Sequence, residues 1–159
     1  HSTDHRGTVD HPGRTVTIVE DDSPGARVWG VACRICGGLD EAGREKVLAD
    51  LDHREKQYDR RLQLDVRGED GSVIVPGAIT YMATPSCKNW AGEASLDEIA
   101  QTIATAHGPS GPNSEYLFRL CDAFREIGSE RAEAELFELE QKVRSYSEPT
   151  ATPQSETNL

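Results

Sequence analysis

The sequence predicts an α+β fold, on the strength of two observations. The first half, through about residue 84, is rich in β-branched side chains broken by Gly and Pro turns, a pattern that favours antiparallel strands. The second half has apolar residues at helical spacing with capping signals. Strands followed by helices indicate a small curved antiparallel sheet or barrel packed by helices.

Two hairpins are predicted in the first half. Residues 14–20 and 28–35 are rich in β-branched side chains and flank turn residues, so we expect them to pair. In residues 62–66, apolar and polar side chains alternate, as is typical of a half-buried strand. A Gly-containing turn then leads to a second arm over residues 73–84, which is interrupted by Pro76 and Gly77.

The first two predicted helices lie on either side of this second hairpin. Residues 41–56 form the first. Ser95 and Glu98 have the spacing of a capping box, which predicts that the second helix covers residues 96–107. The loop that follows, rich in Gly and Pro, lacks the Lys and hydroxyl residue of a phosphate loop and is interpreted as an interhelix connection.

Two more helices and a tail complete the chain. Asn113 or Ser114 is expected to cap the third helix, and Ser129 to begin the fourth. Their apolar stripes contain Leu117, Leu120, Cys121, Phe124, Leu136, Leu139 and Val143. Residues 147–159 contain few large apolar side chains and are predicted to be a disordered acidic tail.

Composition narrows the classes of partner. The chain has 17 Lys and Arg against 28 Asp and Glu, and its net charge of −11 argues against binding to nucleic acid or to an anionic membrane surface. No apolar run approaches bilayer length, and no signal-peptide pattern is visible. These observations favour a small-molecule partner and a cytoplasmic location, with a monomer as the default state.

Cys33 and Cys36 have the spacing of half a zinc site or of a redox pair. A redox pair of this kind normally opens a helix, whereas these residues lie in a predicted strand. Two thiols without such a function are therefore the favoured interpretation, and a cysteine metal site is the weaker alternative.

Glu55 is the candidate catalytic residue from pattern alone. In helical projection it shares one arc with Val47, Leu48 and Leu51, so a carboxyl group lies where an apolar side chain is expected. A carboxyl group in apolar surroundings holds a proton more readily than one in water, which suits a general base. The alternative is a carboxylate that has already left the helix and reaches solvent.

Eight short motifs occur in order along the chain. They are residues 2–7 (STDHRG), 11–14 (HPGR), 29–32 (WGVA), 51–55 (LDHRE), 57–59 (QYD), 96–100 (LDEIA), 108–111 (GPSG) and 113–117 (NSEYL). In order and spacing these motifs resemble those of the ChaC-type γ-glutamylcyclotransferases, and the resemblance covers the chain from about residue 2 to about residue 146.

The resemblance implies a γ-glutamylcyclotransferase-like fold and an enzyme that cleaves glutathione to 5-oxoproline and cysteinylglycine in the cytosol. It implies no metal and no organic cofactor. Glu55 matches the family's catalytic glutamate. Tyr116, Arg6 and Tyr58 become candidates for substrate binding, Arg6 because its guanidinium matches a carboxylate. Structural roles are the alternative for all three.

One feature departs from the family. Members begin with a strand and a Tyr-Gly-Ser-Leu loop, and this chain opens at His1 after the point where both are complete. The expectation is therefore a γ-glutamylcyclotransferase-like domain over residues 1–146 that is N-terminally incomplete, either as a fragment or as a natural truncation. A natural truncation would favour the alternative function, a non-catalytic protein-interaction module.

Overall fold

The computed structural model describes residues 1–128 and 133–147, which contain four helices and four strands. The elements, in chain order, are α1 (Glu41–Arg54), β1 (Arg60–Arg67), β2 (Val73–Met82), α2 (Leu96–Thr105), β3 (His107–Gly108), β4 (Gly111–Pro112), α3 (Asn113–Glu126) and α4 (Ala134–Ser147). The α+β prediction is confirmed. The described strands form two antiparallel two-stranded sheets, and neither closes into a barrel.

The chain divides into two compact units. The hairpin unit comprises His1 and Thr15–Glu93, and the helical unit comprises Ser2–Arg14 and the described residues from Ala94 onward. The predicted start of the last helix at Ser129, and residues 148–159 of the predicted tail, lie outside the described residues. None of the helices in the described ranges has both the length and the apolar character needed to cross a bilayer.

The second predicted hairpin is confirmed as the β1–β2 pair. Arg61 lies opposite Tyr81 in the antiparallel ladder, and Leu62 lies opposite Thr80. The connecting turn contains Gly71 at φ 81°, a conformation that a residue with a Cβ rarely adopts. The ladder is irregular beyond Leu64, opposite the Pro76 and Gly77 interruption, because proline cannot donate a ladder hydrogen bond.

The first predicted hairpin is wrong. Residues 14–20 and 28–35 contain no strand, and Val19, Val28 and Val31 are 64%, 59% and 70% exposed. Strand propensity largely reflects packing against cross-strand neighbours. These two segments do not pair with each other or with another described segment, so their β-branched composition produces no strand.

The helical unit is organised around one apolar cluster between α2, α3 and α4. The predicted stripes of α3 and α4 are confirmed in part: Leu117, Cys121, Leu139 and Val143 are buried in the cluster together with Ala100 and Ile103 of α2, and Leu136 packs against it. Leu120 and Phe124 are half-buried. The capping box is also confirmed. The Ser95 hydroxyl accepts from the Glu98 backbone N–H at 3.3 Å, and the Glu98 carboxylate accepts from the Ser95 N–H at 2.9 Å. Helix α2 ends at Thr105, because His107 and Gly108 pair with Pro112 and Gly111.

The segment Ser2–Arg14 folds back on itself and is held against the start of α3. Ser2 and Gly13 form a β-bridge through two backbone hydrogen bonds of 2.7 and 2.9 Å. The expected capping role of Asn113 is wrong, because Pro112 is the N-cap and makes no side-chain cap bond. The buried Asn113 amide instead accepts from the Arg14 N–H at 2.6 Å and donates to the Arg14 carbonyl at 2.8 Å.

A buried carboxylate joins α3 and α4. The Glu140 side chain is 4% exposed and binds the guanidinium groups of Arg125 and Arg144. Each arginine also stacks on a ring: Arg125 lies 4.9 Å from the centroid of Phe137 and Arg144 lies 4.1 Å from that of Phe118. Burial alone would raise the pKa of Glu140, but hydrogen bonds from the two arginines outweigh it and lower that pKa.

We expect Glu140→Gln to reduce the free energy of unfolding by about 1–2 kcal/mol at neutral pH, because charge-assisted hydrogen bonds are lost. Because the pKa of Glu140 is lower in the folded than in the unfolded protein, its ionisation stabilises the fold at any pH above the unfolded pKa of about 4.3. This contribution disappears as the pH falls through the folded pKa. The difference between parent and variant should therefore shrink in acid, as measured by urea unfolding between pH 7 and pH 3. Arg119→Gln, which removes an exposed pair with Glu115 within one helix, should change stability by less than about 0.5 kcal/mol. A pH-independent difference would contradict the charge assignment.

Candidate active site

Glu55 lies at the C-terminal end of α1, one residue after the helix proper. Its backbone has φ −90° and ψ 16°, and its N–H still donates to the Leu51 carbonyl at 2.9 Å. The side chain is 25% exposed and its nearest cation is Arg54, with Nη2 3.5 Å from Oε1. Glu55 is therefore a partly shielded carboxylate at the end of α1. The helix ends two residues earlier than predicted.

Tyr58 follows in the turn between α1 and β1. Its N–H donates to the Glu55 carbonyl at 3.0 Å, and its hydroxyl donates to the Val16 carbonyl at 3.2 Å. The ring is half-buried. These two hydrogen bonds set the position of the phenol relative to the end of α1.

An open cavity of about 250 Å³ brings Glu55 and Tyr58 together. This volume lies just below the roughly 300–1,000 Å³ that is usual for ligand pockets. Its walls come from the end of α1, the start of β1 and the facing part of β2. They combine carboxylates, cations and phenols, and the lining residues are Asp52, Glu55, Lys56, Tyr58, Asp59, Arg60, Arg61 and Tyr81.

One wall of the cavity is a three-residue cluster that the sequence analysis missed. The Tyr81 hydroxyl donates to Oδ1 of Asp52, and Arg61 Nε lies 3.0 Å from the same oxygen. Burial raises the pKa of Tyr81, and the hydrogen bond to Asp52 raises it further. The only signal in the sequence is the i, i+3 spacing of Asp52 and Glu55 on one helix.

A second carboxylate fixes the chain where it enters β1. Asp59 accepts from the Thr84 N–H at 2.8 Å and from the Thr84 hydroxyl at 2.5 Å. These hydrogen bonds lower the pKa of Asp59. The carboxylate therefore stays ionised at neutral pH and joins the start of β1 to the segment that leaves β2.

The other two predicted site residues belong to the helical unit. Arg6 is 13% exposed, and its Nη1 donates to the Pro112 carbonyl at 3.0 Å and to Oε2 of Glu115 at 3.2 Å. Tyr116 is half-buried in the first turn of α3. The four predicted residues thus divide evenly: Glu55 and Tyr58 share the cavity of the hairpin unit, and Arg6 and Tyr116 lie in the helical unit.

The cysteine pair shows no metal geometry in the described part of the chain. Cys33 and Cys36 are exposed, free thiols. Within residues 1–128 and 133–147, no three His, Cys, Asp or Glu side chains are grouped as metal ligands would be. The Cys36 thiol donates to the Arg34 carbonyl at 3.2 Å.

Comparison of the sequence with known proteins identifies the family. The family model described as "ChaC-like protein" matches residues 1–146. The chain is 42% identical over 132 residues to γ-glutamylcyclotransferase 2-3 of Arabidopsis thaliana, covering 80% of this chain and 64% of that protein. It is 32% identical over 145 residues to glutathione-specific γ-glutamylcyclotransferase 1 of Danio rerio, covering 91% of this chain and 72% of that protein.

The fold is also similar to that of a solved structure. A γ-glutamyl cyclotransferase specific to glutathione from yeast superposes with a TM-score of 0.67 at 21% identity, covering 92% of this chain and 83% of that one. At this identity the likeness establishes the fold. The chain spans a little under two thirds of the length of its Arabidopsis relative. The family match over residues 1–146, together with these identities, shows that the chain belongs to the ChaC-like family.

Proposed function

We propose that this chain is a glutathione-specific γ-glutamylcyclotransferase, which cleaves glutathione to 5-oxoproline and cysteinylglycine. The observation that carries the proposal is Glu55, a partly shielded carboxylate that lines the same cavity as Tyr58. Relatives named for this activity on glutathione support the choice of substrate.

The proposed reaction needs one group that takes and returns a proton. The α-amino nitrogen of glutathione attacks its own γ-carbonyl carbon, and the amide bond to cysteine breaks as the five-membered lactam closes. Glu55 accepts the proton that the amine loses and delivers it to the departing cysteinyl nitrogen. Because nucleophile and electrophile belong to one molecule, holding the chain folded supplies much of the acceleration, up to roughly 7–11 kcal/mol for well-oriented groups.

The remaining predicted residues are proposed to hold the substrate. Tyr58 and Tyr116 offer hydroxyl groups, and Arg6 offers a guanidinium to a substrate carboxylate. Arg6 contacts Pro112 and Glu115 through Nη1. No metal or organic cofactor takes part in the proposed reaction.

The test follows both products of reduced glutathione by chromatography, using the 159-residue chain and any longer reading frame that contains it. We expect 5-oxoproline and cysteinylglycine in equal amounts. Glutathione acylated on its α-amine should be inert, because its nitrogen can no longer close the lactam. Release of free glutamate would indicate hydrolysis and contradict the proposal, and so would absence of turnover in a folded protein.

A non-catalytic interaction module is the second candidate. The exposed apolar side chains between residues 16 and 35 favour it, since Val16, Val19, Val28 and Val31 are all more than half exposed. The product assay separates the two candidates, because an interaction module releases no 5-oxoproline. A cytoplasmic, monomeric protein that binds neither nucleic acid nor membrane fits the acidic composition and is part of the first proposal.

A further inference from the structure

Asp52, Arg61 and Tyr81 come from three different elements and meet at one oxygen atom. Asp52 lies on the last turn of α1, Arg61 on β1 and Tyr81 on β2. Oδ1 of Asp52 accepts a hydrogen bond from the Tyr81 hydroxyl and lies 3.0 Å from Arg61 Nε. We call this group the Asp52 clasp.

The β1–β2 register explains why two side chains reach the same carboxylate. Arg61 and Tyr81 are directly opposite each other in the antiparallel ladder. Opposite residues in such a ladder project to the same face with neighbouring Cβ atoms. The clasp therefore attaches the last turn of α1 to both strands of the hairpin at a single level.

The clasp lies directly beside the candidate base. Asp52 and Glu55 are three residues apart, a spacing that places side chains on one helix face, and both line the cavity. Glu55 is the C-cap of α1, and its N–H donates to the Leu51 carbonyl. A rotation or shift of the last turn would move Asp52 and Glu55 together.

Apolar packing does little to fix this turn. None of the residues of α1 is buried, and Val47 is 38% exposed. Leu48 and Leu51 are only half-buried. Directional contacts between side chains must therefore supply most of the orientation that a buried helix would obtain from its core.

We propose that Asp52, held by Arg61 and Tyr81, is a positioning residue that sets the orientation of the Glu55 carboxylate in the cavity. This inference rests on the proposed function, in which Glu55 transfers the proton. The clasp does not touch the reacting atoms. It acts by keeping Glu55 within hydrogen-bond reach of the substrate amine, where a displacement of about 1 Å can cost roughly 100-fold in rate.

If the clasp had only a structural role, its loss would lower the stability of the protein. Asp52 and Arg61 are 45% and 44% exposed, and ion pairs at such positions contribute little to global stability. Burial and the Asp52 hydrogen bond raise the pKa of Tyr81, so the phenol remains a donor at the pH of an assay. Loss of the clasp should therefore appear in turnover and leave unfolding almost unchanged.

The test compares Asp52→Asn and Tyr81→Phe with the parent. We expect kcat to fall roughly 10- to 100-fold with little change in KM, because an interaction that matters in the transition state is lost. Urea unfolding should be unchanged. Tyr81→Phe retains the ring, so it separates the hydroxyl from packing, and Asp52→Glu should restore part of the lost kcat. Asp65→Asn is the matched control, since Asp65 is an exposed β1 carboxylate that pairs with Arg67 away from the cavity.

Two further measurements separate this inference from the proposed function. If Glu55→Gln is inactive while both clasp variants turn over like the parent, the inference is wrong and the proposed function stands. If Glu55→Gln turns over like the parent, Glu55 is not the base and the inference fails with that assignment, although the activity on glutathione stands. If the folded parent releases no 5-oxoproline, the proposed function itself fails. Amide exchange then tests the clasp independently of activity: in Asp52→Asn the Glu55 N–H should exchange faster than in the parent, and equal exchange would overturn the inference.

Discussion

Glu55→Gln should lower kcat by roughly 10²–10⁴-fold with KM nearly unchanged. Glutamine has almost the same shape as glutamate but cannot accept the amine proton, and positioned general bases typically contribute a factor of this size. An equal fall in kcat and kcat/KM is expected when the lost interaction exists only in the transition state. Steady-state release of 5-oxoproline from reduced glutathione is the measurement.

Glu45→Gln is the control for this experiment. Glu45 is an exposed carboxylate on the same helix, outside the cavity, so its turnover should match that of the parent. Unfolding curves of both variants should overlay the parent curve. A folded Glu55→Gln protein with turnover within twofold of the parent would contradict the assignment of Glu55 as the base.

Gly7→Ala should release the segment Ser2–Arg14 from its fold. A Cβ on Gly7 would lie 2.1 Å from the Gly13 nitrogen and 2.5 Å from the Ser2 carbonyl oxygen, both backbone atoms. Such contacts cannot be relieved by turning a side chain, so the β-bridge between Ser2 and Gly13 must open. We expect a loss of about 1–3 kcal/mol or more in urea unfolding, with faster exchange of the Gly13 amide.

Gly108→Ala should also release the segment Ser2–Arg14, because the backbone of Gly108 packs closely against it. Its Cβ would lie 2.2 Å from the His5 carbonyl oxygen and 2.5 Å from the Gly7 nitrogen. The double variant with Gly7→Ala should cost less than the sum of the two, because the contact can be lost only once. Gly30→Ala is the control, since nothing lies within 4 Å of its Cβ. Parent-like stability of both variants would show that the segment tolerates the added atoms.

The close packing at Gly7 and Gly108 also affects the position of Arg6. Arg6 lies inside the segment, and its backbone N–H donates to the Ser2 hydroxyl at 3.0 Å. The direction of its guanidinium therefore depends on the glycine contacts as well as on Glu115. Gly7→Ala should weaken substrate binding if Arg6 holds a substrate carboxylate, which would appear as a raised KM.

Features that depend on neighbouring residues were predictable from sequence. The capping box at Ser95 and Glu98 lies within four residues, and its two hydrogen bonds form as expected. The β1–β2 hairpin follows from alternating side chains and a Gly turn. The stripes of α3 and α4 follow from helical spacing, because only one face of each helix can reach the core.

The failures share a cause. Residues 14–20 and 28–35 have strand composition, but a strand exists only where a partner supplies hydrogen bonds and packing. Asn113 has the residue type and position of a helix cap, but its amide finds better partners in the Arg14 backbone, 99 residues away along the chain. A local pattern shows what a residue is able to do and leaves open which partner it meets.

The sequence by itself determined the α+β class, the approximate limits of the helices, the motifs of the ChaC-like family and Glu55 as the candidate base. The tertiary structure alone decided that Asp52 meets Arg61 and Tyr81, and that Gly7 and Gly108 admit no side chain. Two of those contacts, Asp52 with Tyr81 and Gly108 with His5, join residues far apart in the chain. They depend on strand register and backbone approach, which arise only when the segments pack, so no local spacing records them.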